Sequence, residues 1–127
     1  APAGSSVVWY GVHAFEMLQR ALGRGAAAVL AKRDALGAAV VVRYPDARRG
    51  IVELTENSYL YGGCLRALDK AAPFVVDLGR AYTEELVKVA AFFRGGPAPV
   101  AMEDTLEVMA MLDASERSYQ SGREEAL

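Results

Sequence analysis

The stretch Ala39-Val40-Val41-Val42-Arg43-Tyr44-Pro45-Asp46-Ala47-Arg48-Arg49-Gly50-Ile51-Val52-Glu53-Leu54-Thr55 decides the fold class. Its two arms are rich in β-branched and aromatic residues, which suit a pleated, half-buried surface. Between them, Pro45-Asp46-Ala47-Arg48-Arg49-Gly50 supplies proline, aspartate and glycine at turn positions, so the arms are expected to form an antiparallel hairpin. In Ile51-Val52-Glu53-Leu54-Thr55 the period of two sends Val52 and Leu54 to one face and Ile51, Glu53 and Thr55 to the other. One dry face and one mixed face follow.

Outward from the hairpin, Ala28-Val29-Leu30-Ala31, Ser58-Tyr59-Leu60-Tyr61 and Pro73-Phe74-Val75-Val76 have the same character and are separated by turn residues. About five strands are expected. On the N-terminal side, Ala14, Leu18, Ala21 and Leu22 share a helical face with Phe15 beside them. Glu16, Gln19 and Arg20 face away, and Gly23 and Gly25 stop the helix. On the C-terminal side, Tyr82, Leu86, Val89, Ala90 and Phe93 recur at helical spacing up to Gly95-Gly96-Pro97. A last helix opens with Glu103 and Asp104, where the helix dipole favours negative charge, and carries Leu106, Met109, Ala110 and Leu112 on its apolar side. Helix, strand run, helix, helix is the order of an α+β domain. An open antiparallel or mixed sheet of about five or more strands is expected, with helices packed on one face. The other face keeps enough apolar residues, in Val40-Val41-Val42 and Tyr59-Leu60-Tyr61, to be available for dimerisation.

With 127 residues the chain, residues 1–127, is expected to form a single domain. It is 53% hydrophobic and 24% charged with a formal net charge of -2, the balance of an ordinary globular protein. The fourteen basic residues are scattered among sixteen acidic ones, which gives no stripe for nucleic acid. The single cysteine, Cys64, excludes an internal disulfide and a four-ligand zinc site, and a reducing, cytoplasmic setting is expected. Cys64 reads as a small buried hydrophobe, and the four methionines read as core fillers. No apolar run reaches the roughly 20 residues of a membrane span. The opening Ala1-Pro2-Ala3-Gly4-Ser5-Ser6 reads as a linker.

The one histidine, His13, is the best candidate for chemistry. It follows Trp9-Tyr10-Gly11-Val12 and opens the first helix, and an imidazole there can exchange protons near neutral pH. No second polar group stands at an expected fixed offset from it. Trp9 and Tyr10 are either packing aromatics or a surface on which a sugar-like ring stacks. Tyr59, Tyr61 and Arg66, near Gly62-Gly63, are either a polar wall of the same site or strand residues reaching solvent. No Gly-x-Ser-x-Gly elbow, His-Glu-x-x-His pair or Gly-x-Gly-x-x-Gly loop occurs, and no metal site is expected.

Three groups of residues carry a resemblance. They are Gly11-Val12-His13 before a helix ending in Leu22-Gly23, the hairpin around Tyr44-Pro45-Asp46 and Gly50, and the C-terminal stretch. That stretch runs Phe92-Phe93-Arg94-Gly95-Gly96-Pro97-Ala98-Pro99-Val100, Glu103-Asp104-Thr105-Leu106-Glu107-Val108, and Ala114-Ser115-Glu116-Arg117-Ser118 with Gly122-Arg123. Over nearly its whole length the chain resembles the C-terminal domain of the glucose-fructose oxidoreductase, inositol dehydrogenase and MocA-like (Gfo/Idh/MocA) oxidoreductases.

The resemblance implies a substrate-binding and oligomerisation domain for a sugar- or cyclitol-like hydroxyl. NAD or NADP would be bound by an N-terminal Rossmann domain outside these residues, and none by this chain alone. It also implies a homodimer or higher homo-oligomer through the open sheet face, and His13 beside the substrate as base or hydrogen-bond partner. Two departures stand out: Trp9 occupies the place of the aspartate that usually precedes the histidine by four residues, and the Glu-Lys-Pro step is absent. The isolated chain is expected to be inactive. The alternatives are a stand-alone dimerisation or ligand-binding module without catalysis, and a small α+β enzyme using His13 alone.

Overall fold

The structure is a computed structural model that describes residues 8–127, with side chains along the first helix from Gly11 onward. Among the described residues it contains α1 (Val8–Leu22), β1 (Ala28–Asp34), β2 (Gly37–Arg43), β3 (Arg49–Thr55), β4 (Gly62–Arg66), β5 (Ala71–Val75), a 3-10 turn (Leu78–Arg80), α2 (Ala81–Phe93), α3 (Met102–Ser121) and β6 (Glu125–Ala126). The class is α+β and all strand pairs are antiparallel. The chain divides into a larger unit, built from the chain up to Tyr59 and from Glu103–Leu127, and a smaller unit, Leu60–Met102.

In the larger unit four strands lie in the order β3-β2-β1-β6. The hairpin that anchored the sequence reading forms as expected, with Val40 opposite Val52 and Arg43 opposite Arg49. Its turn closes with the Tyr44 N–H donating to the Arg48 carbonyl at 3.2 Å. Asp46 accepts the Arg48 N–H and its guanidinium, and Ala47 takes the left-handed conformation at φ 68°. Gly50 belongs to packing rather than to the turn, because a Cβ there would overlap the Leu18 side chain of α1.

The dry face expected from the alternation is present. Val29 and Ala31 of β1, Ala38, Val40 and Val42 of β2, and Val52 and Leu54 of β3 are buried. They form one cluster with Phe15 of α1 and Val108, Met111, Leu112 and Ala114 of α3. At roughly 1.5–3 kcal/mol for each large side chain removed from water, this cluster is the main source of the unit's stability. The opposite face carries Leu30, Val41 and Ile51 in register across three strands, with Ile51 66% exposed.

Several local expectations need correction. α1 begins before Gly11, so His13 sits inside the helix rather than at its first turn. Gln19 does not face away: it is buried and bonds to α3, while Ala21 is exposed. Cys64 is exposed on β4, and of the methionines only Met111 is fully buried. Ser58–Tyr61 is not a strand; pairing begins at Gly62 instead.

The smaller unit holds the hairpin β4-β5, with Cys64 opposite Pro73, and α2. The Val76 N–H extends the hairpin by donating to the Tyr61 carbonyl at 2.8 Å. None of its residues is buried.

Candidate functional site

The site begins on α1. Residues three apart on a helix are surface neighbours, and the sequence His13-Ala14-Phe15-Glu16 places an imidazole and a carboxylate at that spacing. His13 Nδ1 lies 3.3 Å from Glu16 Oε2, with the two side chains 56% and 58% exposed. An Nδ1–H donating to the carboxylate puts the lone pair on Nε2, the atom that can then accept a proton. Glu16 is thus a polar partner that the sequence reading passed over. His-x-x-Glu on a helix is the sequence signal that carries it.

What holds α1 in place is a second polar cluster at its C-terminal end. Glu107 of α3 accepts the Gly25 and Ala26 N–H groups, both at 2.7 Å, and the Gln19 side-chain amide at 3.0 Å. Gln19 also donates to the Asp104 carbonyl at 3.1 Å. From the other side Arg48 donates to the Leu22 and Arg24 carbonyls and lies 4.5 Å from the Tyr44 ring centre. Arg48 thus satisfies the Leu22 carbonyl left over at the end of the helix, and Glu107 the Gly25 and Ala26 amides of the loop that follows. Hydrogen bonding to Arg48 holds the Asp46 carboxyl below its ordinary range. Burial, reinforced by the charge of Glu107, pushes the Tyr44 phenol upward, and its buried oxygen finds no hydrogen-bond partner among the described residues.

The other sequence candidates are distributed. Trp9 and Tyr10 lie on α1, but their side chains fall outside the described ones. Tyr59 ends the first segment of the larger unit and is 74% exposed. Tyr61 and Arg66 bracket β4 in the smaller unit, with Tyr61 half-buried and Arg66 exposed opposite Ala71. The structure brings His13 together with Glu16 and sets Tyr61 and Arg66 in one hairpin unit.

These residues do not fit a dinucleotide. Among the described residues there is no parallel crossover to present a helix N-terminus to a pyrophosphate. In the Gly23-Arg24-Gly25 loop the Gly23 amide is taken by the Gln19 carbonyl and the Gly25 amide by Glu107, which also accepts from Ala26. No group of three or more His, Cys, Asp or Glu is arranged to hold a metal among the described residues. No described helix is long and apolar enough to cross a membrane.

No protein-family model and no curated protein matches the sequence. Among solved structures, the fold is similar to that of a probable dehydrogenase from Thermotoga maritima, with a TM-score of 0.71 and 16% identity. The similarity covers 99% of this chain and 53% of that one, so the chain spans about half the length of the protein whose fold it shares.

Proposed function

We infer that the chain is the substrate-binding and oligomerisation domain of an NAD(P)-dependent oxidoreductase of the Gfo/Idh/MocA type, acting on a sugar- or cyclitol-like hydroxyl. The observation that carries the reading is the fold likeness to a probable dehydrogenase over nearly all of this chain and only half of the other. A nucleotide-binding domain outside these residues supplies the cofactor; in this chain the Gly25 and Ala26 amides after α1 are already bound by Glu107. The chain's own share of the reaction is the proton. Nε2 of His13 takes it from the substrate hydroxyl, while Glu16 holds Nδ1 and stabilises the imidazolium that forms. The carboxylate thus sits on the helical turn after the histidine, where Trp9 has removed the one expected before it. Trp9, Tyr10, Tyr59, Tyr61 and Arg66 are the candidates for holding the ring and hydroxyls of the substrate. Homo-oligomers form through the open sheet face, on which Leu30, Val41 and Ile51 make an apolar row.

A dimerisation or ligand-binding module without chemistry is the second reading, favoured by the exposure of His13. The native gene product separates the two. A protein of about 35–40 kDa, the size of this domain plus a nucleotide-binding one, with NAD(P)-linked polyol oxidation supports the enzyme. In that protein His13→Asn lowers kcat/KM by about 10²–10⁴-fold. A product of 13.6 kDa without such activity leaves the second reading.

A further inference from the structure

The two edges of the four-stranded sheet are treated differently. The β1 edge is covered: β6 pairs with it at Ala28 and Val29, the Leu127 N–H donates to the Ala27 carbonyl, and the Ala31 N–H donates to the Ser118 hydroxyl. At its far end Lys32, Arg33 and Asp34 add charge. Among the described residues no strand pairs with the outer side of β3. Which of its backbone groups are open follows from the ladder. The bonds from Tyr44 N–H to Arg48 O and from Glu56 N–H to Leu36 O fix the parity, so Gly50, Val52 and Leu54 bond inward to β2. The N–H and C=O groups of Arg49, Ile51 and Glu53 therefore point away from the sheet. All three residues are exposed.

We propose that β3 pairs with β3 of a second copy of this chain, antiparallel and centred on Ile51, to make one continuous eight-stranded sheet. The occupant is chosen by charge and register. With Ile51 opposite Ile51 of the second copy, Arg49 of each chain stands opposite Glu53 of the other, twice over, on the same face. The outward backbone groups of Arg49, Ile51 and Glu53 meet their counterparts in the hydrogen-bonded alignment, which forms roughly six bonds. The row Leu30–Val41–Ile51 then runs unbroken through the two-fold axis into its copy. A strand carrying like charges at these two positions would repel itself, and unlike charges symmetric about an apolar centre do the reverse. This contact is distinct from pairing through the open face and does not depend on the enzymatic reading. It is smaller than a standard protein interface, so the association is weak and rises with concentration.

Sedimentation equilibrium on the 127-residue chain, combined with amide hydrogen exchange, tests the proposal. The wild type associates, and the Ile51 and Glu53 amides gain protection as it does. Arg49→Glu and Glu53→Arg each weaken association about tenfold or more by setting like charges opposite one another, and the double variant R49E/E53R restores it to within about threefold. Glu53→Pro removes an outward N–H, abolishes association and leaves the circular dichroism of the fold intact. Leu30→Glu, two strands from the edge, leaves the protection of the Ile51 and Glu53 amides unchanged. A chain that stays monomeric, a dimer whose Ile51 and Glu53 amides exchange freely, a double variant that fails to recover, or amide protection at Ile51 and Glu53 lost in Leu30→Glu but kept in Arg49→Glu overturns the proposal. The last of these outcomes would assign the contact to the open face.

Discussion

The two units of this chain use the same materials to different effect. The larger unit gathers thirteen buried hydrophobic residues from two helices, three strands and the hairpin turn into one cluster. The smaller unit has a well-formed hairpin and a three-turn helix, yet it buries no residue, and Leu65, Phe74, Val75, Leu78, Tyr82, Leu86 and Phe93 remain exposed. A two-stranded hairpin with one helix cannot close a dry interior, and regular secondary structure by itself contributes little stability. Cooperative folding therefore belongs to the larger unit.

Paired truncations give the sharpest break of that contrast. Phe15→Ala, at a fully buried position, is expected to cost about 3–5 kcal/mol in denaturant unfolding, whereas Leu86→Ala on α2 costs less than about 0.5 kcal/mol. Equal effects would mean that the smaller unit has a core after all. Next in size, Glu107→Ala strips the partner from two amides and a side-chain amide at once. A loss of about 2–3 kcal/mol is expected, read as a lower unfolding midpoint with unchanged slope.

The smallest effect is a titration. Tyr119 of the larger unit is pushed up to about 12 by burial, and Tyr44 is also raised. A phenol whose folded value lies above its unfolded value of 10.0 contributes stability that is fully present below pH 10 and is lost as pH rises towards 12. Ultraviolet titration should show Tyr44 and Tyr119 ionising above the ordinary phenol value of 10.0; a Tyr44→Phe/Tyr119→Phe variant that loses no late-ionising component would contradict their burial.

The larger unit was largely legible in the chain because its signals are local. The alternation Ile51-Val52-Glu53-Leu54-Thr55 survives intact as exposed and buried positions, and the turn falls at Pro45–Arg48, within the expected segment, while Arg49 and Gly50 belong to β3. What escaped depends on distant partners. Gly62 and Gly63 lie within β4, where the lack of a Cβ lets Phe74 of β5 approach: a Cβ on Gly62 would stand 2.7 Å from its carbonyl oxygen and one on Gly63 3.0 Å from its ring. β6 is two residues long and has no pattern of its own. It is held by Arg117, which pairs with Glu125 at 3.1 Å and donates to the Ala126 carbonyl at 2.7 Å, and by the Arg43–Glu124 pair at 2.8 Å. Gln19, polar on an apolar helix, read as outward because its partners on α3 lie 85 and 88 residues away in sequence. For the site, His13 was legible as a lone imidazole. Glu16 reads as a solvent-facing charge of an amphipathic helix, and only the i, i+3 geometry of α1 pairs it with His13.

The larger unit is also discontinuous, with the smaller one inserted between β3 and α3. At roughly 5–20 residues per second of synthesis, several seconds separate completion of the hairpin from the appearance of the helix that covers it. During that interval Val29, Val40, Val42, Val52 and Leu54 have only α1 to shelter them. Newborn chains are thus exposed to chaperone capture between the making of the sheet and the arrival of α3, and a pause in translation within the inserted segment would prolong that vulnerable state.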